Sequence, residues 1–166
     1  IYFTVYLPPC YDDTPGTTYP VMYLMHGSND DDGQWGRLGL YDVLDEGISA
    51  GTYPPVIAVM PFAEWVGNEN RFDGASWNAV FIEELLPLAE DLYRVDPNQR
   101  AIGGISRGGF WAFHLAFRFP AMFQAVGGHS AFFDRFHAAP EYNPLNLATD
   151  ASGIENLRIT LDRGAD

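Results

Sequence analysis

Gly104-Ile105-Ser106-Arg107-Gly108 sets a serine between two glycines in the pattern G-x-S-x-G, and Gly109 follows directly. Arg100 to Ile105 reads as a short strand, and Gly108 to Phe119 as a helix apolar nearly all round, so no loop separates the two. A serine at such a strand-to-helix turn takes a strained backbone and presents its hydroxyl at the carboxyl end of the strand, where it can attack an acyl carbon. Side chains on either side of so sharp a turn would collide, which accounts for the glycines. The backbone N–H of Arg107, at the helix start, is placed to donate to an oxyanion with help from the helix dipole. The plainer reading of the same residues is an ordinary Gly-Ser-Gly turn. The flanking strand and helix favour the nucleophile.

Acyl transfer needs a second N–H on the developing oxyanion, commonly from the loop after an earlier strand. His26-Gly27-Ser28-Asn29 is that loop, with the Ser28 N–H as the expected donor and His26 and Gly27 as its support. Asp30-Asp31-Asp32-Gly33 follows; three consecutive carboxylates read as a solvated loop in preference to a calcium site, whose ligands must be spread around the ion. Three further histidines are candidate bases. His129 follows the strand beside the elbow, and its pocket-lining reading outweighs a role as base. His137 lies in the loop beyond. His114 is eight residues into the helix from Ser106, about 12 Å by helical rise, which is too far. Asp134 follows the same strand as His129 and is a weaker candidate acid than the loop near Asp166.

These residues need a frame. Ile1–Leu7, Val21–Met25, Val56–Met60, Arg100–Ile105, Phe123–Gly128 and Leu157–Leu161 read as strands, the central ones uniformly apolar as in a sheet buried on both faces. Leu38–Ile48 and Trp77–Tyr93 carry helical apolar spacing, the second despite Pro87. Phe132–Gly153 reads as loop. Strands alternating with helices predict an α/β fold, a mostly parallel sheet with helices on both faces and its ligand site at the carboxyl ends of the strands. Trp35, Trp65, Trp77, Phe132 and Phe133 fall near those ends, divided evenly in expectation between an aromatic or sugar-binding cleft and the core.

The chain resembles the Putative esterase family of the α/β-hydrolases, a group that includes esterase D (S-formylglutathione hydrolase), feruloyl and acetyl xylan esterases, enterochelin esterases and mycolyltransferases. The matching stretches are Val5-Tyr6-Leu7-Pro8-Pro9 with Tyr11, Tyr19 through Gly27, Glu83-Glu84-Leu85-Leu86-Pro87, Gly103 through Gly109, Phe119-Pro120 with Phe123, and Leu157 through Gly164. They cover almost the whole chain in order. Arg107 departs from the family's usual Ser-Met-Gly-Gly. The resemblance implies a serine carboxylic ester hydrolase working through an acyl-enzyme on Ser106, on aryl or carbohydrate-linked esters, without metal or organic cofactor. It also implies an acid soon after Gly164; the family position is the third residue beyond that glycine, one past the last residue here, and Asp166 is the nearest candidate within the chain. Asp162 matches a strand-end aspartate that reads as structural. The histidine follows later in the order Ser, Asp, His. The chain is therefore expected to be the first two thirds of a single domain of roughly 250 residues, with a last strand and helix beyond it and a possible trimmed leader before it. The alternatives are an acyltransferase of the mycolyltransferase type and a non-catalytic binding module that keeps the fold.

Composition narrows the partners. Across 166 residues, 47% are hydrophobic and 15% aromatic, enough for one well-packed domain. The net charge is −13, with nine arginines and no lysine, which argues against nucleic acid and anionic lipid. Cys10 is the single cysteine, so no disulfide forms within the chain. Apolar runs are too short to span a membrane, and Ile1–Leu7 reads as strand and not signal peptide, leaving the compartment, cytoplasmic or secreted, open. An incomplete sheet would leave an exposed edge, predicting self-association.

Overall fold

The computed structural model describes residues 1–164. Its strands are β1 (Phe3–Tyr6), β2 (Tyr19–Met25), β3 (Ile57–Pro61), β4 (Val95–Ile105), β5 (Ala125–His129) and β6 (Arg158–Asp162). Its α-helices are α1 (Gln34–Arg37), α2 (Leu40–Ser49), α3 (Trp77–Ala79), α4 (Leu86–Leu92), α5 (Arg107–Arg118) and α6 (Pro144–Asp150). The sheet runs in the order β1-β3-β2-β4-β5-β6. Only β1 is antiparallel to its neighbour; the other pairs are parallel, as uniformly apolar strands require.

Alternation along β2 divides the core. Tyr19, Val21, Tyr23 and Met25 face a large cluster with α5 and the α3–α4 segment, while Met22 and Leu24 face a smaller one with Leu44 of α2 and Trp35. From Arg107 to Phe117 every residue of α5 is buried, the all-round apolar helix the sequence predicts. Coverage fades towards β6, whose five residues are all exposed, Ile159 and Leu161 included.

Four elements differ from expectation for local reasons. The helix expected from Leu38 starts at Leu40 as α2, because Gly39 adopts a left-handed φ of 88° at its N-cap, and a short unexpected helix, α1, precedes it. The helix across Pro87 is kept by a π-helical stretch, Val80–Leu85, immediately before α4; looser winding there accommodates a residue with no N–H to donate. β4 reaches back to Val95 because Tyr19 pairs with Val95 across a register shift, while Asp96–Gln99 bulge outwards. Finally, the segment read as loop contains α6, capped by Asn143, whose side chain accepts from Leu145 N–H at 3.0 Å, with Pro144 at the first helical position.

Candidate active site

Strain gathers at one end of the sheet. The four non-glycine residues with positive φ among those described are Asn29, Glu64, Ser106 and Ser130, and they lie beyond the carboxyl ends of β2, β3, β4 and β5 in turn. Ser106 has φ 51° and ψ −111°, outside any comfortable region for a side-chain-bearing residue. Its backbone is pinned from the neighbouring strand: Ser106 N–H donates to His129 O at 3.0 Å, and Phe132 N–H donates to Ser106 O at 2.9 Å. The glycines around it answer to backbone contact. A Cβ on Gly104 would sit 2.2 Å from the Gly108 carbonyl carbon, and one on Gly108 would sit 2.5 Å from both Met25 O and His26 O. The elbow is thus pressed against the end of β2.

That pressure brings the loop after β2 to the serine. A Cβ placed on Gly27 would lie 3.7 Å from Ser106 Cβ. Buried His26 braces this loop: its Nδ1–H donates to Gly27 O at 2.7 Å, and its Nε2 accepts from Ala63 N–H at 2.9 Å, which fixes the tautomer and ties β2 to β3. Gln34 Oε1 accepts from Gly27 N–H at 2.8 Å, so the next amide along is Ser28, exposed at the rim. Gln34 had no signal in the sequence; its role exists only because α1 folds back over the loop. Arg107 opens α5 directly after Ser106, and Ser28 follows Gly27, the loop residue next to the serine.

Each histidine has a partner other than Ser106. His114 is fully buried against Tyr142 O and the Asn78 side chain, and burial depresses its pKa to about 4. His137 Nε2 meets Arg107 Nη1, and its pKa is held below the ordinary histidine value by burial and then by that cation. His129 pairs through Nδ1 with Asp162 Oδ2 at 2.7 Å and meets the Trp35 ring edge-on at 5.5 Å. Asp162 is thereby a partner of a histidine, and Asp166 lies outside the described residues. In the acidic loop, Arg37 pairs with Asp30 and Asp31 while Asp32 accepts from Thr4, so the three carboxylates are engaged one by one and do not converge.

The aromatic residues divide. Trp77 is core, Phe133 packs against Phe113, and Trp35 donates to Met25 O at 3.3 Å beneath the loop. Trp65 is 78% exposed and, with Phe62, Asn29, Asp30, Glu64 and Asn68, lines a cavity of about 390 Å³. This cavity opens between the loops after β2 and β3, and Ser106 is not among its lining residues. No helix among the described residues is long and apolar enough to cross a membrane.

The chain has known relatives in sequence and fold. The family model described as "Putative esterase" matches residues 1–166. Esterase Rv1288 of Mycobacterium tuberculosis is 36% identical over 135 residues, covering 76% of this chain and 28% of its own length. A solved ferulic acid esterase is 36% identical with a TM-score of 0.71, covering 78% of this chain and 51% of that one. A feruloyl esterase module from Clostridium thermocellum, complexed with sinapinate, superposes with a TM-score of 0.75 at 19% identity, covering 99% of this chain and 62% of that one. The fold is that of α/β-hydrolase esterases, and the chain spans about a quarter of the length of the curated tuberculosis relative.

Proposed function

We propose, starting from the fact that the chain belongs to the Putative esterase family, that it carries the nucleophile of a serine carboxylic ester hydrolase. Ser106 attacks the ester carbonyl, and the N–H groups of Arg107 and Ser28 receive the tetrahedral oxyanion. The alkoxide leaves with a proton returned by a histidine, and water then releases the acid from the acyl-enzyme. The observation that carries this reading is the left-handed Ser106, held between two glycines whose places backbone contacts fill. His26, His114 and His137 are held by other groups, His129 is paired through Nδ1 with Asp162, and similar proteins run well beyond the matched region. Both points support a general base outside these residues, oriented by an acid near Asp166. Trp65 and Phe62 beside the oxyanion loop favour aryl or carbohydrate-linked esters, and feruloyl esterase names among the similar proteins point the same way.

The test is turnover of p-nitrophenyl acetate and of a methyl hydroxycinnamate by the full-length protein, beside Ser106→Ala. Removing the nucleophile should cost at least ~10⁴-fold in kcat, and fluorophosphonate labelling should vanish with it. A Ser106→Ala protein that keeps the wild-type rate would sink the assignment.

A further inference from the structure

Arg107 brings a guanidinium into the interior one residue after the strained serine. Its side chain is buried, with the residue 5% exposed, and among the described residues no carboxylate forms an ion pair with it. A buried cation without a counter-charge is costly unless its donors are all well placed. Here Nε donates to Gly67 O at 2.9 Å, Nη2 donates to Glu69 O at 2.7 Å, and Nη1 meets His137 Nε2. The guanidinium also lies 4.6 Å from the Phe110 ring centroid and 5.0 Å from that of Trp111. Burial lowers its pKa to about 10, so it stays cationic at neutral pH.

The segment it grips bears on the cavity. Gly67 and Glu69 flank Asn68, and Asn68 and Trp65 form one wall of the cavity beside the oxyanion loop. On its other arm, Arg107 reaches the loop after β5 through His137, and Asn70 ties the two loops again by donating to His137 O at 2.7 Å. Trp111 Nε1 also donates to Gly67 O, at 2.6 Å, while the Glu69 carbonyl takes its side-chain bond from Arg107.

We propose that the Arg107 side chain is a positioning residue that sets substrate selectivity, a fork locking the Val66–Glu69 wall and the His137 loop to the elbow so that the cleft keeps the width a bulky ester needs. An apolar residue could fill the space but has no donors for two carbonyls and an imidazole. Lysine keeps the charge and loses the planar fork. The proposal rests on the ester-hydrolase reading above for its selectivity, and on geometry alone for the clamp.

The experiment compares wild type, Arg107→Met, Arg107→Lys and His137→Phe in the full-length protein, by hydrogen–deuterium exchange and by steady-state kinetics. Exchange of the amides from Asn68 to Arg71 should quicken about ten-fold or more in Arg107→Met, with the strands unchanged, and less in His137→Phe, which loses one arm. The ratio of kcat/KM for methyl hydroxycinnamate over p-nitrophenyl acetate should fall about ten-fold in Arg107→Met, through KM, and Arg107→Lys should not restore it. Unchanged exchange in Arg107→Met, or full recovery of the ratio by lysine, would overturn the clamp. Absence of turnover in wild type would overturn the hydrolase reading, while the exchange result would still judge the clamp.

Discussion

The two flanks of Ser106 are built differently. On the β2–β3 flank, buried or half-buried polar side chains fix the backbone: His26 bridges Gly27 and Ala63, Gln34 holds Gly27, and Arg107 holds Gly67 and Glu69. On the β5–β6 flank the corresponding pair, His129–Asp162, has both side chains more than half exposed at 55% and 53%, and Phe136 is 87% exposed. Stabilising an oxyanion demands donors that do not reorganise, and this braced flank is the one that carries the Ser28 amide proposed for that role. A flank with half-solvated side chains can adjust to what binds. The buried side-chain braces thus gather mainly on one side of the serine, with Arg107 and Asn70 reaching across to the His137 loop.

The sharpest way to break this contrast is a single methyl on each flank. Gly108→Ala forces a Cβ to 2.5 Å from two carbonyl oxygens at the end of β2, and it should cost about 3 kcal/mol or more and erase activity. Gly127→Ala, in β5, has nothing within 4 Å of the added carbon and should move stability by less than about 1 kcal/mol. Thermal melts of the two variants decide it, and equal losses would end the comparison.

Acid titration gives the next largest effect. His114, on α5, has a pKa of about 4 in the folded state against an ordinary 6.5. Below pH 6.5 the unfolded chain takes a proton the folded one refuses, so stability present above that pH falls as the pH drops towards 4, by roughly 3 kcal/mol in total. Denaturant midpoints of wild type and His114→Gln should converge as the pH falls through that window. A constant gap would show that His114 has no part in the acid sensitivity.

His26→Phe keeps ring volume but leaves the buried Ala63 N–H without an acceptor, for about 1–3 kcal/mol. Displacing the loop that carries the proposed Ser28 donor should lower kcat about 10–100-fold. His129→Ala, by contrast, removes an exposed pair worth under about 1 kcal/mol and should slow turnover less than ten-fold. A thousand-fold loss on removing His129 would instead make it the base and reverse the roles of the two flanks.

The legible parts of this molecule were those where local sequence and tertiary role coincide. Uniformly apolar strands, the buried α5 and G-x-S-x-G all express short-range constraints, and the resemblance in Gly103–Gly109 gathered them into a family. Asn143-Pro144 was a readable helix start hidden in a segment dense with turn residues. Other features depended on distance in sequence. Gln34 meets Gly27 seven residues away, Arg107 meets Gly67 and Glu69 about 40 away, and His137 closes on Arg107 from 30 residues downstream. No periodicity encodes such pairs. The departure at Arg107 from the family's Ser-Met-Gly-Gly was visible, but a charge in the pocket and a buried fork read the same without coordinates.

The left-handed residues at the exits of β2 to β5 also bear on how the sequence can change. Glycine would relieve the backbone at Glu64 and Ser130, whose φ values are 47° and 46°, each by about 1 kcal/mol. A library screened for heat survival alone should therefore accumulate glycine at 64 and 130. At 106 glycine would remove the hydroxyl along with the strain. Heat resistance and catalytic power would then diverge within a few rounds of selection, and sequencing the survivors would mark the positions where the protein trades durability for chemistry.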